Sequence, residues 1–93
     1  MPENRRAPAH PRDIEEIDPR EDIRVRLTCT VLEISEDSVL VDDGTGTTEV
    51  FLDEEDIEQI DDQNRVRIIG RVLPTPDSFE IQGEIVQDMS DMD

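Results

Sequence analysis

Several residue types that proteins commonly use are missing or nearly missing from this chain of 93 residues. Lysine, tryptophan and tyrosine are absent, and the aromatic residues are limited to Phe51 and Phe79. A single cysteine excludes an internal disulfide, and we expect Cys29, which lies in an alternating apolar run, to be a small core residue. A single histidine, His10, with no second histidine and no cysteine close to it in the chain, gives no zinc-binding pattern.

Long apolar runs are also missing. No segment approaches the roughly 20 apolar residues that a membrane-spanning helix needs, and the N-terminus has no apolar stretch of signal-peptide length. The sequence therefore predicts a cytoplasmic protein without a membrane partner.

Catalytic patterns are absent as well. No nucleophile stands beside a base partner, and there is no Gly-Lys-Ser/Thr loop to cradle phosphates. Asp42, Asp43 and Glu49 surround glycines, but their spacing lacks the alternating ligands and final glutamate of a calcium loop. We expect no enzyme activity, no catalytic residue, no cofactor, no bound metal and no small-molecule substrate.

The charge is strongly one-sided. The chain carries 26 acidic residues against nine basic ones, all arginine, for a formal net charge of -17. Such a protein should repel nucleic acid at ordinary ionic strength. The same composition is typical of a halophilic protein, and at 1 M salt the Debye length is only about 3 Å, so this repulsion is largely screened. We favour the halophilic interpretation, under which net charge is a poor guide to partners.

The most informative stretch covers residues 39–52. Two apolar, β-branched segments flank Asp42-Asp43-Gly44-Thr45-Gly46, where glycines supply positive φ and aspartates bond to their own backbone. This pattern predicts a β-hairpin.

Three more segments alternate with the two-residue period of a strand. Inward positions are predicted at alternate residues of each segment: Ile23, Val25, Leu27, Cys29 and Val31, then Val66, Ile68, Gly70 and Val72, then Phe79, Ile81, Gly83 and Ile85. After Val31 the apolar phase shifts to Leu32 and Ile34, which predicts a β-bulge.

The remaining segments define the boundaries. Residues 1–13 and 89–93 are predicted to be disordered tails, and residues 14–88 form the domain. Ile14 and Ile17 are expected to plug one end of the barrel. Residues 53–60 predict a helix of about two turns, with Asp53 as N-cap and with Ile57 and Ile60 covering an opening.

Three strands, a short helix and two more strands predict an all-β fold, the five-stranded Greek-key OB-fold barrel with its helix between strands three and four. An SH3-like barrel is the alternative, and the position of the helix speaks against it.

Several runs carry a family resemblance over residues 14–88. They are Ile17-Asp18-Pro19, residues 25–31, Asp42-Asp43-Gly44-Thr45-Gly46 with Val50, and residues 66–72. Together they resemble archaeal OB domains of the replication protein A family. The resemblance implies single-stranded DNA binding in replication or repair, and it also implies a second role as an assembly subunit that binds little DNA. The chain departs from the family in lacking tryptophan, tyrosine and a zinc motif.

The arginines of the predicted barrel form the candidate site. Arg24, Arg26, Arg65, Arg67 and Arg71 fall on the polar phase of two strands that neighbour each other in an OB barrel. Such a stripe is typical of a backbone-phosphate footprint, although each arginine can equally pair with a nearby acid. Arginine suits phosphate because its planar fork binds two oxygens at once.

Only Phe51 and Phe79 can stack on bases. Phe51 is expected to point outward, with a core position as the alternative, while Phe79 shares the phase of core residues. The sequence thus predicts a protein that binds single-stranded DNA, with RNA left open, through these arginines and phenylalanines. The rival hypothesis is an interaction module whose arginine stripe, or Ile69 and Leu73, contacts a larger replication protein A-type subunit.

Overall fold

The computed structural model describes residues 8–89, which form a closed barrel. The elements in chain order are β1 (His10–Pro11), a 3-10 turn (Ile14–Glu16), β2 (Arg24–Ile34), β3 (Ser38–Asp42), β4 (Thr47–Phe51), α1 (Glu54–Glu58), β5 (Arg65–Pro74) and β6 (Phe79–Asp88). Strands β2 to β6 close in the order β2-β3-β4-β6-β5, with β5 pairing back to β2. This arrangement confirms the predicted OB-fold, with its helix between the third and fourth barrel strands.

The barrel interior is filled by the inward phases of the strands. Alternation along β2 and β5 is as predicted, with Val25, Leu27, Val66 and Ile68 each 0% exposed. Cys29 is buried among them, and burial, followed by the nearby charge of Asp43, raises the pKa of its thiol to about 12. Cys29 is therefore an unreactive core residue, as predicted.

The predicted inward position of Ile23 is wrong. Ile23 precedes β2 and is 60% exposed, although its carbonyl accepts the Val72 N–H at 2.8 Å. The hydrogen bonding between β2 and β5 thus extends one residue beyond the part of β2 whose inward side chains are buried in the core.

Two bulges set which side chains face outward. The predicted bulge in β2 is confirmed, because the register between β2 and β3 shifts between Val31 and Glu33. A second bulge, which the sequence pattern does not indicate, lies opposite Ile69 and Gly70 and makes Glu84 the extra residue of β6. Beyond it the phase of β6 reverses, so that the predicted inward residue Ile85 is 45% exposed. Val86 packs against the core instead.

The N-terminal segment closes one end of the barrel. Ile14 and Ile17 are buried and belong to the core cluster, which confirms their predicted role as a plug. Residues 10–13 fall in the predicted tail, yet β1 pairs in parallel with β2 at Val25 and Arg26. Residues 1–7 and 90–93 of the predicted tails lie outside the described residues.

The hairpin turn is fixed to this segment through Asp43. Gly44 takes φ +91°, and one Asp43 carboxylate oxygen accepts the Thr45 N–H at 2.9 Å and its hydroxyl at 2.6 Å. The other oxygen accepts the Ile14 N–H at 2.7 Å. Burial opposes ionisation of Asp43, but the hydrogen bonds from Thr45, Ile14 and Gly46 outweigh it and lower its pKa below the ordinary value.

The short helix covers the opposite opening, as expected. Ile60 is 5% exposed and Ile57 packs against the core. Asp53 occupies the N-cap position in extended conformation, but its side chain makes no capping hydrogen bond, contrary to expectation. Within residues 8–89, no helix is long and apolar enough to cross a membrane.

Candidate nucleic-acid interface

The outer face of β2 and β5 brings the five predicted arginines together. Arg24 lies directly opposite Arg71, Thr28 opposite Arg67, and Thr30 opposite Arg65. Arg26 projects on the same side, opposite Ile69. We refer to Arg24, Arg26, Arg65, Arg67 and Arg71 as the arginine surface. Alternation over two neighbouring strands was enough to predict it, because the inward apolar phase of each strand places its arginines on the outward phase, which also includes Ile69 and Leu73.

Arg24 is committed to an ion pair within the barrel wall. Its Nη2 lies 2.6 Å from Oε1 of Glu84, and its Nε donates to the same oxygen at 2.8 Å. The two side chains are only 11% and 21% exposed. Since Glu84 is the bulge residue of β6, this pair depends on a register shift that sequence alternation does not reveal. We therefore assign Arg24 a structural role in place of the predicted ligand contact.

The other four arginines remain available. Across residues 8–89, the side chains of Arg26, Arg65, Arg67 and Arg71 make neither an ion pair nor a hydrogen bond. Arg26, Arg65 and Arg71 are exposed, and Arg67 is half-buried. In a chain with 26 acidic residues, these four guanidinium groups on adjacent strands thus have no carboxylate partner among residues 8–89.

Arg67 is the most constrained of the four. Its Nε is buried and has no hydrogen-bond partner among the described residues. A buried donor without a partner costs on the order of 1–3 kcal/mol. The guanidinium group of Arg67 therefore has at least one N–H donor, on Nε, that makes no hydrogen bond within residues 8–89.

Phe51 points outward, as predicted. Its neighbours Val50 and Leu52 are 0% and 4% exposed, whereas Phe51 is half-buried and is not part of the core. Cross-strand pairing links Phe51 to Gln82 and Gln82 to Arg71. One strand, β6, thus separates the ring of Phe51 on β4 from Arg71 on β5. The distance from β4 to β5 is two strand steps, or about two fifths of the circumference of a five-stranded barrel.

Phe79 is unsuited to stacking. It is half-buried and packs against the core, so its ring is engaged in closing the barrel. Its phase with Ile81, which is 0% exposed, already favoured this position over a ligand contact.

The strands that commonly bind ligands in this fold carry no arginine here. These are the second and third barrel strands, β3 and β4. Besides Phe51, their outer positions hold Leu40, Asp42, Thr47 and Glu49, and the last of these accepts a hydrogen bond from the Ser38 hydroxyl at 2.7 Å. Positive charge in the described barrel therefore lies beside this face, on β2 and β5.

An apolar pair lies in the middle of the arginine surface. Ile69 of β5 faces Ile85 of β6, and both side chains project outward, half-buried and 45% exposed respectively. Arg26 flanks Ile69 on β2, while Leu73, the other apolar residue of the rival hypothesis, is half-buried near the end of β5. The surface thus combines a small apolar centre with a cationic rim.

A groove runs between the arginine surface and the N-terminal segment. We call residues 10–13 the strap, since Arg12 N–H donates to the Arg26 carbonyl at 3.3 Å and continues the β1 pairing. The groove has a volume of about 290 Å³. Its lining comprises Pro11, Arg12, Asp13, Glu16, Arg26, Thr28, Asp43 and Arg67. In the described part of the chain, no group of three or more His, Cys, Asp or Glu side chains is arranged to hold a metal ion.

These features define an OB-fold protein with a cationic outer face. Among solved structures, the chain is similar to the hypothetical protein YgiW from E. coli, with a TM-score of 0.67 and 23% identity over 88% of this chain and 90% of that chain. It is also similar to a chain in a replication protein A heterotrimer bound to single-stranded DNA, with a TM-score of 0.60 and 24% identity over 71% of this chain and 57% of that chain. At these identities the likeness shows the fold alone. No protein-family model and no curated protein matches the sequence.

Proposed function

We propose that this protein binds single-stranded nucleic acid, with DNA as the first candidate, in replication or repair. The observation that carries the proposal is a set of four arginines on adjacent strands whose side chains have no ion pair or hydrogen bond among residues 8–89: Arg26, Arg65, Arg67 and Arg71. Guanidinium groups free of carboxylates can each contact a backbone phosphate, and phosphate contacts supply most of the affinity in sequence-independent binding. The similar chain in the replication protein A heterotrimer supports the proposal.

Phe51 adds a stacking position next to this surface. A base stacked on an aromatic ring contributes about 1–3 kcal/mol. Because β6 separates Phe51 from Arg71, we propose that the strand follows the arginine surface first and reaches the ring by curving round the barrel. Catalysis has no place in this function, and no cofactor is needed.

The excess of acidic residues is consistent with a protein that works at high salt concentration. With a net charge of -17, long-range repulsion opposes binding in dilute buffer. In molar salt that repulsion is screened within a few ångströms, while forked hydrogen bonds at contact persist. We propose a halophilic protein of the cytoplasm, whose binding is best measured in molar potassium chloride.

Titration of a fluorescent oligo-dT in 1 M potassium chloride tests the proposal. We expect saturable binding by the wild type and weaker binding by Arg67→Ala and Phe51→Ala. Arg20→Gln is the matched control, because Arg20 is 89% exposed, lies outside the arginine surface and already pairs with Asp18. Absence of binding by the wild type, or equal affinity in all four proteins, would contradict the proposed function.

A second candidate function is supported by the apolar pair Ile69 and Ile85. Exposed isoleucines ringed by arginines fit a protein partner with acidic and apolar side chains, such as a larger replication protein A-type subunit. This function predicts that the wild-type protein does not bind oligo-dT. It also predicts that the Ile85→Asp variant no longer associates with that subunit. Unchanged association of Ile85→Asp would count against it.

A further inference from the structure

We propose that the groove between the strap and the arginine surface is a phosphate-binding subsite, in which Arg67 and Arg26 together hold one phosphodiester group of the bound strand. The inference rests on the proposed function and assigns one position within it. It differs from a general attraction to the arginine surface because it requires a built site with a fixed geometry.

Three hydrogen-bond donor side chains of the groove have no partner among residues 8–89. Arg26 and Thr28 lie two residues apart on the outer face of β2, and Thr28 faces Arg67 across the ladder. None of these three side chains makes a hydrogen bond among residues 8–89. Two guanidinium forks and a hydroxyl thus converge on one space without a partner of their own.

Three carboxylates also line the groove, those of Asp13, Glu16 and Asp43, and only Asp43 has both of its oxygens engaged. Asp43 uses one carboxylate oxygen for Thr45 and the other for the Ile14 N–H. Oε1 of Glu16 accepts the Asp13 N–H at 3.4 Å. Because Arg26 and Arg67 each carry five N–H donors, the donors still outnumber the unengaged carboxylate oxygens of Asp13 and Glu16, and a phosphodiester presents two acceptor oxygens on one tetrahedral centre.

The strap gives the groove its second wall. Backbone pairing fixes Pro11 opposite Arg26, and the Arg12 side chain is tied back to Asp22, with 3.2 Å between Nε and Oδ1. At about 290 Å³ the space is far larger than the roughly 30 Å³ that one water occupies. An anion can therefore lie between strap and sheet without displacing either.

Arg67 supplies the strongest indication that the groove suits an acceptor ligand. Its buried Nε has no hydrogen-bond partner among residues 8–89, although the guanidinium borders the groove. A phosphate oxygen in the groove would let the fork turn outward, so that Nε and one terminal nitrogen donate side by side. Binding would then satisfy a buried donor that has no partner in the described part of the chain.

Lysine at position 67 provides the sharpest test, because Arg67→Lys keeps the charge and the aliphatic stem but removes the fork. We expect oligo-dT affinity in 1 M potassium chloride to fall by about tenfold or more in Arg67→Lys, nearly as far as in Arg67→Gln. Arg71→Gln, on the same surface but outside the groove, should lose only about threefold. Thermal unfolding of each variant verifies that the barrel is intact.

A second measurement uses inorganic phosphate as the probe. In wild-type protein labelled with ¹⁵N, we expect the Arg67 Nε–H resonance to shift with added phosphate and with oligo-dT, while that of Arg20 stays in place. If oligo-dT binds but Arg67→Lys equals the wild type and the Arg67 resonance does not move, the subsite is refuted and the proposed function stands. A response to inorganic phosphate without oligo-dT binding refutes the phosphodiester assignment together with the proposed function.

Discussion

The salt dependence of binding provides the most quantitative prediction from the arginine surface. In the described barrel, four arginines have no side-chain partner and can contact phosphates, namely Arg26, Arg65, Arg67 and Arg71. Each phosphate contact with a single strand contributes about -0.7 to the slope of log affinity against log salt concentration, so four contacts give about -3. Taken alone, these contacts lower affinity about fiftyfold between 0.5 and 2 M potassium chloride, and screening of the acidic repulsion offsets part of that loss.

Replacement of a single arginine should change that slope by a fixed step. Arg67→Gln removes one contact, and we expect its slope to be shallower than that of the wild type by about 0.7. Repulsion by the 26 acidic residues also varies with salt, but it acts equally on both proteins and cancels in the difference. Arg20→Gln, which removes an arginine elsewhere, should leave the slope unchanged.

Fluorescence anisotropy of labelled oligo-dT at five or more salt concentrations gives the slopes directly. Equal slopes for the wild type, Arg67→Gln and Arg20→Gln would show that Arg67 contacts no phosphate. If Arg26→Gln, Arg65→Gln and Arg71→Gln also left the slope unchanged, the count of four contacts would be refuted, and with it the proposal that these arginines follow the backbone of the strand.

Three further predictions concern the barrel itself. Glu84→Ala should lower the free energy of unfolding by about 1–3 kcal/mol, because Arg24 loses the carboxylate 2.6 Å away; chemical denaturation measures this, and a double variant with Arg24→Met should regain part of the loss. Cys29, whose thiol pKa is raised to about 12 by burial, should resist iodoacetamide at pH 8 until denaturant unfolds the chain, which mass spectrometry detects. Asp43 has a folded pKa below its ordinary 3.8, so its stabilising contribution is present above that pH and is lost as the pH falls through the folded value. The melting-temperature difference between the wild type and Asp43→Asn should therefore be larger at pH 6 than at pH 3, and an equal difference at both would contradict this assignment.

The barrel and its outward arginines were predictable because they depend on local periodicity. In β2 and β5 a buried residue occupies every second position over residues 25–31 and 66–72, and a two-residue period leaves one choice of face even though Ile69 on the outer phase is apolar. The hairpin was equally clear, since Gly44 and the aspartates before it specify the turn without help from the rest of the fold.

The parts that were missed depend on contacts between distant segments. Ile85 and Val86 are both apolar, so the sequence gives no indication of which one faces inward after the bulge at Glu84. The pairing of Arg24 with Glu84 follows from that bulge and was equally hidden. Pairing of the strap depends on two backbone strands meeting, and proline at position 11 removes the usual strand signal.

The angular separation between the phenyl ring of Phe51 and the guanidinium groups has a consequence for ligand length. The backbones of β4 and β5 are separated by two strand spacings, or about 10 Å. The side chains of Phe51 and Arg71 project outward from a convex wall, so their tips are farther apart than their backbones. A dinucleotide can touch one region or the other, whereas a longer oligomer can bridge them and gain both contributions from a single molecule. The curvature of the barrel wall therefore favours longer oligonucleotides over dinucleotides, and this preference for length requires no enclosed cavity.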